Sequence, residues 1–483
     1  MSRLVVVSNR VGDPRQANTG GLATAMLAAL RERGGVWLGW NGRFDDAHAG
    51  RTQHYSDDGI EFVTFALARR QGQAYYNGFA NRVLWPLLHA RGDLVDYQRE
   101  EYSHYQDVNH LFADVLQKRL QPGDTLWIHD YHLLPLAQRL RERGLQQAIG
   151  FFLHTPLPGV DQLRALPRHT ELIGALAACD LIGVQTDADL HALHDYVTRE
   201  LGAHLLDRES GLYESRGQRF RCGAFPIGID VDSVQAAAAR APRLPAVQRL
   251  RSSMGERQMA IGVDRLDYSK GIPQRFRAFG EFLQRHPQRQ RQVSLLQIAP
   301  PSRGDVREYR LIRDELNQLA GAINGAWADP DWVPIRYVNK SFAQSTLTGF
   351  YRMARVGLVT PFRDGMNLVA KEFIAAQDPA DPGVLVLSQM AGAARQLDSA
   401  LLVNPHDLTG VAHAVETALA MPLAERQQRW TAAMDTLRRH SLERWRQGFL
   451  DRLRDAGAAR RATARPAAAK ERHGRRRIPA APG

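Results

Sequence analysis

Two series of short, continuous apolar runs constrain this chain more than any other feature. RLVVVSN (3–9), GVWLGW (35–40), DTLWIHD (124–130), AIGFFLH (148–154) and LIGVQT (181–186) form the first. MAIGVDRLD (259–267), VSLLQIA (293–299), PIRYVN (334–339), VGLVT (356–360) and GVLVLS (383–388) form the second. Amphipathic stretches such as GLATAMLAALRERG (21–34) and YHLLPLAQRLRERG (131–144) lie between them, and in the latter Leu133, Leu136, Ala137 and Leu140 share one helical face. Strands that are apolar throughout and alternate with helices must be covered on both faces, which is the pattern of a parallel sheet. The fold class is therefore α/β, with two doubly wound domains. The break falls near FPIGIDVDSV (225–234), ahead of the Ala/Pro/Arg-rich AAAARAPRLPA (236–246). The predicted organisation is a first domain over 1–230 and a second over 231–440. A helix over 441–456 packs back on the body, and a disordered basic tail covers 457–483. Ligands of such sheets sit at the carboxyl ends of the strands, so two facing domains enclose a cleft.

Composition narrows the function classes. With 483 residues, 44% hydrophobic and 24% charged, the chain is globular and long enough for two cores. No apolar run reaches the ~18 residues of a membrane span. The apolar run in MSRLVVVSNR is too short for a signal peptide and reads as a first core strand. A cytoplasmic location follows, with Cys179 and Cys222 reduced; neither sits in a C-x-x-C pair, and both read as small core residues. Net charge is +12, but residues 460–477 hold eight Lys/Arg against the single acid Glu471. The excess thus belongs to the tail, and nucleic acid is not an expected partner.

The polar clusters follow strands. In TPFRDGMNLVAKEF (360–373), Asp364 stands where a strand hands over to a loop. Gly365 permits close backbone approach or a positive φ, and the amides of Met366, Asn367 and Leu368 suit an anionic or hydroxyl-rich ligand at a helix start. Lys371 and Glu372 follow; a capped helix with an ion-paired first turn would explain Asp and Gly but not the whole set. In VDRLDYSKGIP (263–273), Arg265 and Lys270 suit a diphosphate, unless Asp264 and Asp267 pair with them. Arg303 in APPSRGDVREY (299–309) binds a second anion or pairs with Asp305. Gly20 and Gly21 open a helix, and Arg10 ends the first strand. WIHDYH (127–132) carries His129, Asp130 and His132, but nothing completes a metal ligand set, so no metal is expected. His154 ends another strand, and Tyr75, Tyr76 and Trp85 offer faces for a sugar. No Ser-His-Asp order or Cys nucleophile emerges. The inventory fits moving a sugar between phosphorylated partners.

SNR (8–10), TGGLA (19–23), WIHDYHLLP (127–135), GFFLHTPLP (150–158), PIGID (226–230), RLDYSKGIP (265–273), SRGDVREY (302–309) and TPFRDGMNLVAKEF (360–373) closely resemble the trehalose-6-phosphate synthases, over roughly residues 1–455. The resemblance implies the GT-B fold, two Rossmann-like domains across a cleft, and transfer of glucose from UDP-glucose to glucose 6-phosphate with retention, giving trehalose 6-phosphate and UDP. It implies donor contacts from Gly20, Gly21, Arg265, Lys270, Phe342, Asp364, Gly365, Met366, Asn367, Leu368, Val369, Ala370, Lys371 and Glu372. Within that set Arg265 and Lys270 hold the diphosphate, Phe342 lies near the uracil and Glu372 reaches the ribose. His154 approaches the donor glucose. Arg10, Tyr76, Trp85, Asp130 and Arg303 form the acceptor site, with Arg10 and Arg303 on its phosphate. Trp85 and position 155 select the α-anomer of the acceptor; here 155 is Thr, where a branched aliphatic is common. Arg265, Lys270, Asp364, His154 and Asp130 are the expected catalytic set. No cofactor is expected, and a homo-oligomer, dimer or tetramer, is. The same fold would also serve a different phosphorylated acceptor such as glycerol 3-phosphate.

Overall fold

The computed structural model describes residues 3–11, 21–302 and 306–473. Its strands form two sheets. The first contains β1 (Leu4–Arg10), β2 (Gly35–Phe44), β3 (Thr52–Asp57), β4 (Ile60–Leu67), β5 (Thr125–His129), β6 (Ala148–Phe152), β7 (Leu181–Val184), β8 (His204–Asp207), β9 (Leu212–Ser215) and β10 (Gln218–Ala224), in the order β3-β4-β2-β1-β5-β6-β7-β10-β9-β8. Only β3 and β9 run against the other strands, β9 pairing antiparallel with both β10 and β8. The second contains β11 (Gln258–Val263), β12 (Val293–Ile298), β13 (Ile335–Val338), β14 (Val356–Val359), β15 (Val384–Ser388) and β16 (Leu401–Val403). It is wholly parallel, in the order β13-β12-β11-β14-β15-β16. Counted from β11, that order is 3-2-1-4-5-6, the doubly wound pattern whose crevice opens where the order reverses. The corresponding reversal in the first sheet lies between β1 and β5.

Each of the ten apolar runs becomes a parallel strand, because both faces of a central parallel strand are covered by apolar residues. β1 buries Leu4, Val5, Val6 and Val7, and β15 buries Val384 to Ser388. The strands outside those runs are β3, β8, β9, β10 and β16, all partly exposed, and β4, which is almost wholly buried although Glu61 and Thr64 interrupt its apolar residues. The hairpin β3–β4 turns at Asp58 and Gly59, with φ of 48° and 75°, and β8 and β9 lie at the opposite edge.

The first domain's sheet is completed by a distant segment. Trp445 and Phe449, on the helix Leu442–His473, stack on Trp127 at ring distances of 5.0 Å each. Phe449 lies against the strand glycines Gly150 and Gly183, where any Cβ would come within 2.8 Å and 2.7 Å of its ring. The buried residues of this helix include Trp445, Phe449, Leu450, Leu453 and Ala456. The helix does not end there: it continues to His473, so 457–473 is helical where the reading placed a disordered tail. Arg460 in that stretch reaches buried Asp180 at 3.3 Å, beside Arg141 at 2.9 Å. Charge counting pointed to disorder, but the segment is mostly Ala and Arg, both strong helix formers. Residues 474–483 lie outside the described residues.

Cys179 and Cys222 are buried and unbridged. No helix among the described residues is long and apolar enough to cross a membrane.

Candidate functional site

The loop after β14 begins the site. Asp364 is fixed by a bridge to Ala391, and Gly392 N–H donates to its carbonyl at 3.1 Å. Gly365 is required here by close approach, not by a positive φ. A Cβ on it would meet the carbonyl oxygen of His154, in the loop after β6 of the first sheet, at 2.1 Å. The positive φ falls instead on Asn367, at 75°. Asn367 caps the helix Leu368–Ala376, its Oδ1 accepting from Ala370 N–H at 3.2 Å. A cap of this kind stabilises a helix start by about 1 kcal/mol.

The Asp364 carboxylate accepts from Lys270 Nζ at 2.6 Å and from Asn367 Nδ2 at 3.0 Å. Burial pushes its pKa up, but the charge and hydrogen bond of Lys270 outweigh that and hold it below the ordinary value. Lys270 comes from the loop after β11, so the ion pair joins two loops at the reversal point of the second sheet. The acids closer in sequence have other partners. Asp264 receives Arg275 at 2.7 Å, and fully buried Asp267 accepts from Ser269 N–H at 3.0 Å, Tyr309 OH at 3.1 Å and Trp85 Nε1–H at 3.4 Å. Arg265 is exposed, with its guanidinium 5.4 Å from the Trp85 ring centre.

Trp85 therefore links the halves of the molecule. It follows the π-helical segment Gln73–Leu84, a rare element often found at functional sites. Tyr76, on the same segment, and Trp40, at the end of its apolar run in β2, enclose the Arg10 guanidinium at 4.7 Å and 4.6 Å. Asp130, after β5, adopts φ 74°, and its Oδ1 accepts from His154 N–H at 3.2 Å. Arg10, Tyr76, Trp85 and Asp130 are thus carried by the strand ends and helices of the first sheet, and Arg265, Lys270 and Asp364 by those of the second. Among the described residues no three His, Cys, Asp or Glu side chains are grouped so that they could hold a metal ion.

The other candidates vary in placement. Met366 and Ala370 are buried, while Leu368 and Val369 are half-buried. Phe342 is half-buried against Phe350, under the exposed Lys340 at 5.2 Å. Glu372 has its pKa pushed up to about 7 by burial, partly opposed by a hydrogen bond from Gln344. Lys371 does not pair with it. Its ammonium is fully buried and donates to Ile227 O at 2.6 Å and Gln396 Oε1 at 2.7 Å, and burial lowers its pKa to about 7. The ion-paired first turn is therefore absent, since Lys371 points toward the segment that joins the two sheets. His154 is also committed: its ring nitrogens meet His129 Nδ1 at 3.0 Å and Gln185 Nε2 at 3.4 Å. Thr155 is buried with its Oγ1 unpartnered. Gly21 starts the helix Gly21–Arg33; Gly20 and Arg303 lie outside the described residues.

Sequence reasoning missed Trp40 and His89. His89 is buried, its ring 4.0 Å from Trp85, and its Nδ1 lies 2.8 Å from Trp85 O. Burial first, then the charges of Asp267, Lys270 and Asp364 around it, set its pKa at about 4. His89 lies four residues after Trp85 in WPLLHA and Trp40 ends the apolar run GVWLGW; both looked like ordinary core.

Comparison with known proteins bears on this crevice. The profile of glycosyltransferase family 20 matches residues 8–455. The trehalose-6-phosphate synthase of Cronobacter sakazakii is 45% identical over 456 residues, covering 94% of this chain and 95% of that one. The crystal structure of an alpha,alpha-trehalose-phosphate synthase (UDP-forming) from Burkholderia vietnamiensis superposes with a TM-score of 0.93 at 47% identity, covering 95% of this chain and 98% of the other. A Burkholderia xenovorans structure in complex with glucose-6-phosphate gives 0.91 at 44%, covering 94% and 100%.

Proposed function

This chain belongs to glycosyltransferase family 20, and we propose that it transfers glucose from UDP-glucose to glucose 6-phosphate, forming α,α-trehalose 6-phosphate and UDP with retention. The observation that carries this reading is the Lys270–Asp364 pair at the reversal point of the second sheet, with Trp85 of the first domain meeting Asp267 and Arg265 of the second. Arg265 and Lys270 would take the diphosphate, Asp364 the glucose hydroxyls, Glu372 the ribose, and the amides of 365–368 the glucosyl and phosphate oxygens. Before the donor arrives, Asp364 neutralises Lys270; the diphosphate then supplies the anion that the ammonium prefers. Phe342 borders the uracil and His154 the donor glucose. Arg10, held between two rings, points a fixed cation at the acceptor phosphate, and Arg303 joins it. Trp85 and Thr155 shape the acceptor pocket for one anomer.

Retention follows from same-face substitution. The C1–O bond to UDP breaks as the acceptor hydroxyl enters on that face, and its proton passes to a phosphate oxygen of the departing UDP. Arg265 and Lys270 stabilise the charge that develops on the leaving group, so side-chain cations do the work of a metal. Contact between the two halves excludes water that would hydrolyse the donor. The test is purified protein with UDP-glucose and a panel of sugar and polyol phosphates, with and without chelator. A product of trehalose 6-phosphate mass with both anomeric couplings α supports the reading. A covalent glucosyl adduct on Asp364, or turnover only with glycerol 3-phosphate, overturns it.

A further inference from the structure

A directed hydrogen-bond chain runs behind the donor loop, and its polarity is set by one backbone group. Ile227, in the segment joining the two sheets, donates its N–H to Gln185 Oε1 at 3.1 Å. A backbone N–H can only donate, so that contact fixes which way the Gln185 amide faces. Its Nε2–H₂ then points at His154 Nδ1, 3.4 Å away, which must accept. His154 consequently carries its proton on Nε2, which donates to His129 Nδ1 at 3.0 Å. His129 in turn holds its proton on Nε2, a buried atom that has no partner. Gln185 is 1% exposed and follows directly on β7, a polar residue at the end of an apolar strand.

We propose that Gln185 is a positioning residue that holds His154 in the neutral, Nε2-protonated form beside the donor glucose. The inference rests on the function proposed above. His154 packs directly against the donor loop, since its carbonyl is what a Cβ on Gly365 would strike. Glycosyl transfer builds positive charge on the sugar ring carbon, and an imidazolium next to it would oppose that charge. A second proton on His154 would sit on Nδ1, facing the N–H donors of Gln185, so the chain disfavours it. Around the ring stand His129 from β5, Phe152 from β6 and Trp445 from the C-terminal helix, while the carboxylate of Asp130 bonds the His154 amide. Burial pushes the ring the same way, to about 3. Lys371 closes the chain on the far side, donating to Ile227 O, so the helix after the donor loop and the His154 ring are tied to opposite faces of one peptide segment.

Histidine-selective ¹⁵N spectra of the free protein, with a His154→Gln variant for assignment, read the tautomer without substrate. The expected result is a neutral Nε2–H ring on His154 from about pH 5 to 9, well past the ordinary imidazole titration. Gln185→Leu should mix the tautomers and lower kcat up to about 100-fold, with KM for both substrates nearly unchanged. Gln185→Glu places a carboxylate where it accepts from Nδ1–H, so His154 takes a second proton as pH falls through about 6.5 or above, and kcat falls on the acid side more steeply than in the unaltered protein. An Nδ1-protonated His154 in the unaltered protein overturns the inference, whether or not the variants fold. So does an unchanged tautomer and kcat in Gln185→Leu, or a Gln185→Glu pH profile parallel to the original. If the spectra behave as expected but no phosphorylated disaccharide forms, the hydrogen-bond chain stands and the proposed function falls; the reverse pattern removes the chain alone.

Discussion

At the residue scale, buried charge decides most of the behaviour. Lys270 is paired with Asp364 at 2.6 Å in the crevice, whereas Arg265 lies exposed over Trp85. Lys270→Ala should therefore cost far more in turnover than in folding: kcat/KM falls by roughly 10²–10³, the scale of losing one preorganised donor. Thermal melting alongside steady-state kinetics checks this, and equal losses in both would mark a structural lysine. Lys371 makes a different prediction. Its pKa is lowered to about 7 in the folded protein, against about 10.4 in an unfolded chain. The unfolded state then binds more protons between those values, so this group's contribution to stability is present above about pH 10 and is lost as pH falls through about 7. Urea midpoints of the unaltered protein and Lys371→Met, measured from pH 7 to 10, should converge toward pH 7, because the methionine lacks the titration.

At the element scale, the loop after β14 and the loop after β6 are one mechanical unit. Gly365 lies against His154 O, and Arg363 Nη2 donates to Leu157 O at 2.9 Å. Gly365→Ala forces the two loops apart. It should cost about 1–3 kcal/mol, as overpacking does, and lower turnover at least as strongly as it lowers the melting temperature. Circular dichroism melts and product formation measured on the same preparation decide it. The glycine was singled out in the sequence because a Gly follows an Asp at a strand end. The reason it must be Gly was not visible there, since the clashing atom lies more than two hundred residues earlier in the chain.

At the scale of the whole molecule, the C-terminal helix belongs to the first sheet. Ending the chain after residue 441 removes Trp445, Phe449, Leu450 and Leu453, all buried. Each is worth roughly 2–5 kcal/mol, together more than the ~5–15 kcal/mol that holds a typical domain. No soluble, cooperatively melting protein should result. Ending it after 456 removes Arg460, but Asp180 keeps Arg141 at 2.9 Å and Ile149 N–H at 2.7 Å. That truncation should cost less than ~1 kcal/mol and leave turnover intact, and the pair of truncations, compared by melting and assay, separates helix packing from the basic extension. The apolar runs alone were enough to determine two parallel sheets, because a strand buried on both faces announces itself in its own residues. The polar motifs after those strands could also be picked out in the sequence, because a doubly wound sheet places its ligand groups at strand ends. What only the tertiary structure decided is which partner each polar group takes: Lys270 with Asp364, Asp267 with Trp85, Lys371 with Ile227 and Gln185 with His154. Those pairings join segments from 31 to 182 residues apart, and a linear sequence carries no term for contacts that exist only after the chain has closed on itself.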